Sequence, residues 1–367
     1  MSHRIHQTVA ACAALVALAF LFEPSSANAE VRGWNDGADS TPTMSDLIPT
    51  LAGQEAYSER YSFAIDLDGG GHIGVDWTIS NLGWGDGHGA TDVRVNLPDK
   101  DKYTASEKVK KKNWSYSKDS FELDIADTRI EAKGDDAFVL THKGDGVSFE
   151  LTLTNTVDMW RPGSGKIDTD DGYYKFNLVA PRADVSGTVT IDGESHEVES
   201  TRKGYGEHVT TNIAPFDLAK RFSRLRTSKD DVSIMWREID LEDDHGGDSQ
   251  TWIAVLYKDK IVFSDPDADI RFGRVRSDSD SGYRFPMDIQ IDGRSGDDSV
   301  KLIMRGKDYE REDLLESYGA AAKAIASAVS KPYRYDVTCK YQLQMDIGGD
   351  RAVVSGDSHF VLDYLTD

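Results

Sequence analysis

The residues Tyr61-Ser62-Phe63-Ala64-Ile65-Asp66-Leu67 alternate apolar and polar with period two. The chain turns at Asp68-Gly69-Gly70-Gly71 and alternates again through His72-Ile73-Gly74-Val75-Asp76-Trp77-Thr78-Ile79. Successive side chains of an extended chain point to opposite faces, so this pattern buries one face only as a strand. Two such runs across a glycine turn predict a hairpin. Similar runs follow at Phe121 to Ile125, Ala137 to Thr141, Val147 to Thr154, Tyr173 to Val179, Val185 to Ile191 and His196 to Ser200. Asp192-Gly193 is a tight-turn dipeptide between two of them. Many short strands with Gly and Asp turns point to antiparallel barrels or sandwiches and exclude alternating β/α units.

The pattern restarts halfway. Phe222-Ser223-Arg224-Leu225-Arg226, a polar turn at Ser228 to Asp231, and Val232 to Ile239 mirror the opening hairpin, with Trp236 late in the second strand as Trp77 is in the first. Trp252 to Tyr257, Lys260 to Phe263, Tyr335 to Met345, Ala352 to Gly356 and Phe360 to Tyr364 continue it. A degenerate duplication accounts for this. The expected organisation is an irregular lead-in over 30–56, a first barrel over 57–213 and a second over 214–367. One segment departs from period two. Between Asp308 and Ser330, Leu314, Leu315, Tyr318, Ala322, Ile325 and Val329 recur at helical spacing, acids lead and Pro332 follows. The spacing predicts an amphipathic helix over 308–330, either packed on the second barrel or lying as a lid over a cavity.

The first 29 residues read as an export leader. Arg4 precedes an apolar run from Val9 to Phe22, Pro24 breaks it, and Ala27-Asn28-Ala29 offers a small-residue cleavage site before Glu30. The run is short for a bilayer span. A cleaved leader places the mature chain in a periplasm or outside the cell. One cysteine then remains, Cys339, at an inward strand position, so no intramolecular disulfide can form. The net charge is -22. Acid spread along the whole chain argues against nucleic acid and anionic membrane surfaces as partners.

The densest chemistry lies in Thr201-Arg202-Lys203-Gly204-Tyr205-Gly206-Glu207-His208. Tyr205 and Glu207 share one face of a strand, while His208 joins them only if a bulge intervenes, for which Gly204 and Gly206 leave room. A carboxylic acid kept protonated by an apolar pocket would suit Glu207 to donate a proton. The competing role for Glu207 is a structural ion pair with Arg202 or Arg224. No histidine pair has metal-ligand spacing, and Asp265-Pro266-Asp267-Ala268-Asp269 lacks the glycine and glutamate of a calcium loop. No metal site is expected, and the loop acids, Asp168, Asp170 and Asp171 among them, read as solvated.

The segment Gly204-Tyr205-Gly206-Glu207-His208 resembles the signature that closes the first of two barrels in the tandem lipocalin-like superfamily. That group includes the AttH-like bacterial proteins, carotenoid 1,2-hydratase and the fungal survival-factor proteins. Ser80-Asn81 and Pro181-Arg182-Ala183-Asp184-Val185-Ser186-Gly187 are similar to the fungal type, and Phe222 to Trp236 is similar to the AttH and hydratase type. After the histidine the hydratases continue with Asn-Trp-Gly, whereas this chain has Val209-Thr210-Thr211-Asn212. The resemblance therefore carries the fold further than it carries hydratase activity. It implies an all-β protein of two tandem antiparallel lipocalin-like barrels, with a cavity for a hydrophobic molecule in or between them and no cofactor. The expected function is an exported carrier for a lipid or isoprenoid. The alternatives are a cofactor-independent hydratase or isomerase acting through Glu207, Tyr205 and His208, and a structural envelope module with filled barrels. Tyr205 and Glu207 are expected at the junction of the halves, faced by Trp236 and Glu238, with Trp77 also lining the ligand site.

Overall fold

The computed structural model describes residues 31–37, 40–68, 70–83, 85–316, 327 and 330–366. The leader and its cleavage site lie outside the described residues. The first sheet is built from β1 (Ser58–Asp66), β2 (His72–Ser80), β3 (His88–Asn96), β4 (Tyr103–Val109), β5 (Trp114–Tyr116), β6 (Glu122–Ile125), β7 (Thr128–Ala132), β8 (Ala137–Lys143), β9 (Val147–Asn155), β10 (Lys166–Asp168), β11 (Tyr173–Ile191) and β12 (Glu194–Thr211). The second is built from β13 (Ala219–Lys229), β14 (Val232–Leu241), β15 (Ser249–Tyr257), β16 (Lys260–Asp265), β17 (Asp269–Ser277), β18 (Arg284–Ser295), β19 (Asp298–Asp313), β20 (Tyr333–Ile347) and β21 (Asp350–Tyr364). A single helical turn, Pro215–Leu218, sits between them.

Both sheets follow one plan. Each is an antiparallel meander whose last strand returns to pair with its first: β12 lies against β1, and β21 against β13. Each ladder is interrupted at a single seam, between β4 and β5 in the first sheet and between β16 and β17 in the second. The chain is thus two nearly closed up-and-down barrels in tandem, which removes most of the edge that open sheets expose. The duplicated opening hairpins occupy matching places, with Trp77 opposite Tyr61 and Trp236 opposite Leu225. Asp192 and Gly193 adopt φ of 50° and 82°, the two positive values that a tight hairpin turn requires.

Three apolar cores result. Phe63, Trp77, Phe121 and Phe138 fill the first barrel, and Trp236, Phe285, Tyr335 and Phe360 fill the second. The third lies between the barrels. Trp34, Tyr174, Phe176 and Leu178 from the first half meet Met235, Ile239, Trp252 and Leu256 from the second. β14 is therefore buried on both faces over most of its length, and β11 from Phe176 to Ala183. Fully burying each such side chain is worth about 1.5–3 kcal/mol relative to exposure.

Several expectations need correction. The runs Tyr173 to Val179 and Val185 to Ile191 are one strand, β11, whose pairing with β12 shifts register three times between Leu178 and Val185. Such irregularity bends a long strand, and it accommodates Pro181, which has no amide hydrogen to donate. Residues Asp308 to Asp313 are not helical. They extend β19 and pair with β20 from Tyr333 to Thr338, followed by a turn at Leu314, Leu315 and Glu316. Ladder pairing along a 16-residue strand overrides the local helical spacing there. Residues 317–326, 328 and 329, the remainder of that predicted helix apart from Ser327 and Ser330, lie outside the described residues. The lead-in packs closely. Trp34 and Leu47 are fully buried in the inter-barrel and first-barrel cores respectively. Among the described residues, no helix is long and apolar enough to cross a membrane.

Candidate functional site

Strand β12 carries the glycine-tyrosine-glycine-glutamate-histidine segment, and regular pairing with β1 sets its faces. Gly204 pairs with Ile65, Gly206 with Phe63 and His208 with Tyr61. Gly204, Gly206 and His208 face the interior of the first barrel, while Tyr205 and Glu207 face the second barrel. A Cβ on Gly206 would lie 2.6 Å from Phe63 and 3.0 Å from Val179, and one on Gly204 would lie 3.0 Å from the Ala183 Cβ. These glycines are therefore demanded by close interior packing.

Tyr205 and Glu207 form the centre of the junction. The Tyr205 hydroxyl donates to Glu207 Oε2 at 2.7 Å, and the Arg237 guanidinium, from β14, donates to the same oxygen at 2.7 Å. Arg237 also donates to the Tyr174 hydroxyl at 2.9 Å and lies over the Phe176 ring at 4.3 Å. The Glu207 and Arg237 side chains are 16% and 10% exposed, so the pair is largely removed from water. Burial works to raise the Glu207 carboxyl. The Arg237 charge, the Tyr205 hydroxyl and the more distant Arg224 and Arg60 charges outweigh it and hold the carboxyl below the usual range. Burial pushes the Tyr205 phenol well above its ordinary value, and the Glu207 charge adds to that. Glu207 is thus an anion fixed between two donors. This arrangement differs from the protonated carboxyl in an apolar pocket that a proton donor for alkene hydration needs.

The partner strand contradicts the expected geometry. Trp236 and Glu238 do share a face of β14, but it is the inner face of the second barrel. Trp236 is 1% exposed within that core. Glu238 is fully buried, bound by Arg221 at 2.7 Å, by Ser223 at 2.5 Å and by Ser249 at 2.9 Å. Arg237, the residue between them, faces the junction. A period-two strand offers only these two assignments, and the wrong parity moves every side chain to the other face. The alternative structural role for Glu207 named Arg202 or Arg224 as partner. Arg202 instead binds Asp231 and Asp259, and Arg224 binds Asp363. Trp77 lies inside the first barrel, with its indole N–H donated to the Thr128 carbonyl at 3.2 Å.

His208 belongs to a separate buried cluster. Its Nε2 lies 2.8 Å from Glu59 Oε1, and its ring stacks on Tyr61 with centroids 4.4 Å apart. Glu59 also accepts from Tyr57, from Tyr61 at 2.8 Å and from the Thr50 amide at 3.2 Å. With its acceptor sites filled by the lead-in and by β1, this carboxylate anchors the barrel end. Asp265 likewise is not a solvated acid. It is 8% exposed and accepts from the Asp267 and Arg294 amides.

Further polar contacts tie the halves together. Arg182 on β11 donates to the Asp231 carbonyl at 3.1 Å, and to the Lys258 carbonyl and Ser233 hydroxyl; Arg226 binds Asp66 at 3.1 Å. Beside these contacts a cleft of about 370 Å³ opens between the barrels. Pro181, Gly204 and Met235 line it together with Arg202, Arg226 and His359. Arg226 lies over the Tyr205 ring at 4.8 Å, which links the cleft to the Glu207 pair. Arginines 182 and 237 escaped the sequence reading. The signal for Arg237 was present, since an inward Trp236 forces its neighbour outward.

Comparison with known proteins agrees with this architecture. The profile of the Svf1 family matches residues 92–360. A curated relative, the "Ceramide-binding protein SVF1" of Yarrowia lipolytica, is 23% identical over 248 residues, 60% of this chain. The chain spans 61% of that relative's length. Among solved structures, an AttH-type protein from Nitrosomonas europaea superimposes with a TM-score of 0.52 at 12% identity, covering 84% of this chain and 92% of that one. Kievitone hydratase from Nectria haematococca gives 0.52 at 13%, covering 91% and 99%. CghA bound to Sch210972 gives 0.56 at 9%, covering 93% and 99%. These structures share the tandem lipocalin-like fold, and the chain belongs to the Svf1 family.

Proposed function

We propose that this member of the Svf1 family is a carrier that binds a lipid-like hydrophobic molecule at the inter-barrel junction. The ceramide-binding description of its curated relative carries this reading. The geometry supports it in two ways. The cleft of about 370 Å³ falls within the range of about 300–1,000 Å³ common for ligand sites. It also combines apolar lining at Pro181 and Met235 with polar groups at Arg202, Arg226 and Ser233, which suits a ligand with a hydroxyl- or amide-bearing head. The hydratase alternative has less support, because Glu207 is paired with Arg237.

Native mass spectrometry of the protein purified from its own host tests the reading. The expected spectrum contains a lipid adduct released by organic extraction. Glu207→Gln should retain that adduct, because affinity from apolar burial does not depend on its charge. Absence of any adduct, together with no uptake from ceramide-containing vesicles, would refute the carrier. Export is the second part of the proposal and rests on the Arg4, apolar run and Ala27-Asn28-Ala29 sequence. N-terminal sequencing should begin at Glu30, and an intact leader on the soluble protein would overturn it.

A further inference from the structure

The net charge is -22, and on that sum alone an anionic surface would repel the protein. The fold distributes the charge unevenly. Strand β17 lies at the end of the second sheet, paired with β18 alone, and its free edge borders the seam. Seven of its nine residues are exposed, where a barrel strand ordinarily buries one face. It holds Phe272 and Val275, 40% and 48% exposed, two of the four exposed large apolar side chains among the described residues.

Around this strand the cations outnumber the acids and stand above them. Asp292 is shared by Arg271 at 3.7 Å and Lys301 at 3.9 Å, and Asp288 by Arg274 at 2.8 Å and Arg305 at 3.8 Å. The two carboxylates are 24% and 22% exposed, whereas the four cations range from 40% to 70%. Arg276 and Arg284 are also exposed, and among the described residues neither forms an ion pair. Arg276 instead lies over the Tyr309 ring. The opposing charges are Asp288, Asp292 and the exposed Asp269 at the start of β17, because Asp278 and Asp280 are taken up by Arg311. Six cations therefore face three carboxylates, two of which are sunk beneath them.

We propose that this face of the second barrel docks on a lipid bilayer bearing anionic headgroups. The six cations meet the headgroups, and Phe272 and Val275 enter the interface beside them. Interfacial binding adds buried apolar area to attraction for anionic lipid, so a bilayer uses both features of the face. An acidic peptide or a nucleic acid would use the charge and leave the apolar side chains unsatisfied. The acids elsewhere on the protein do not cancel the attraction, because screening confines a charge to about 8 Å at physiological salt. Docking would set a lipid carrier against its source, but the charge argument stands without the carrier reading.

Flotation of the purified protein with vesicles of phosphatidylcholine and phosphatidylglycerol in equal parts tests it, beside vesicles of phosphatidylcholine alone. Wild type should float with the anionic vesicles but not the neutral ones, and rising sodium chloride should release it. Arg271→Gln/Arg305→Gln should lower the partition coefficient about 25-fold, about fivefold for each cation near the surface. Val275→Ser should lower it several-fold at unchanged charge. Lys110→Gln/Lys112→Gln removes the same charge from an exposed turn of the first barrel and should float like wild type. All these proteins share one N-terminus, so differences between them belong to the face each one alters, and circular dichroism should show one fold throughout. Equal losses in the two double variants would reduce the effect to net charge and overturn the proposal. Equal flotation on neutral vesicles, no flotation, or binding of soluble polyglutamate without flotation would also overturn it. A lipid adduct in the mass spectrum beside any of these results would leave the carrier reading standing and sink only the docking.

Discussion

Replacing Arg237 with methionine isolates the ion pair that joins the two barrels. Methionine keeps much of the stem that packs on Phe176 but leaves the Glu207 carboxylate with Tyr205 as its remaining close donor. Both side chains are less than one-fifth exposed, so the solvent-screened value of a surface pair does not apply. Removing one partner of a buried pair costs about 3–5 kcal/mol, mostly from the charge left behind. Glu207→Gln/Arg237→Met removes that stranded charge and should recover about 2 kcal/mol of the loss, within the usual coupling for contacting residues. Equilibrium urea unfolding followed by tryptophan fluorescence reads these differences. The pH dependence supplies a second check. The folded Glu207 carboxyl is held below its unfolded value, so its contribution is present above about pH 4.3 and fades as pH falls through the folded value. Without Arg237, burial is opposed only by the Tyr205 hydroxyl and the more distant Arg224 and Arg60 charges, and the folded pKa rises. The variant then loses most at neutral pH and regains stability as the carboxyl protonates, so its gap to wild type narrows between pH 7 and pH 4. A gap below about 1 kcal/mol at pH 7, or one that stays constant to pH 4, would refute this account of the junction.

Gly206→Val places branched carbons against Phe63 and Val179 and should destabilise by about 1–3 kcal/mol in the same unfolding assay. Wild-type stability of that variant would mean that the glycine is not required by packing. His208→Leu removes the imidazole partner of the buried Glu59 carboxylate and should cost about 1.5–3 kcal/mol, the worth of a hydrogen bond to a charged group. The loss should shrink when Glu59→Gln is added, and a simply additive pair would argue against coupling. Burial pushes the Cys339 thiol up to about 12. Ellman's reagent at pH 8 should leave it unreacted in the native protein and titrate it fully in denaturant. Rapid native labelling would show that the second barrel opens.

Much of the architecture was legible because period-two alternation reports directly on strands. The hairpin of β1 and β2, its repeat in β13 and β14, and the Asp192-Gly193 turn all follow from residues within a short span. The predicted helix failed over Asp308 to Asp313 because those residues pair with Tyr333 to Thr338 across a connection that local spacing cannot anticipate. The site was legible only in half. Tyr205 and Glu207 share a face by strand geometry alone, and their place at the junction followed from the family resemblance. On the opposing strand, alternation alone leaves two face assignments. Trp236 and Glu238 proved to point inward, and Arg237 outward.

By itself the sequence determined the β class, the tandem repeat and the pairing of Tyr205 with Glu207 on one face, because each depends on residues close together in the chain. Which face of each strand meets the other barrel, and so the ionised state of Glu207, was decided only by the tertiary structure. β14 and the middle of β11 are buried on both faces, so burial-driven patterning cannot distinguish a barrel interior from an inter-barrel seam. Arg237 lies 30 residues from Glu207, and that contact forms only when the two closed sheets pack together.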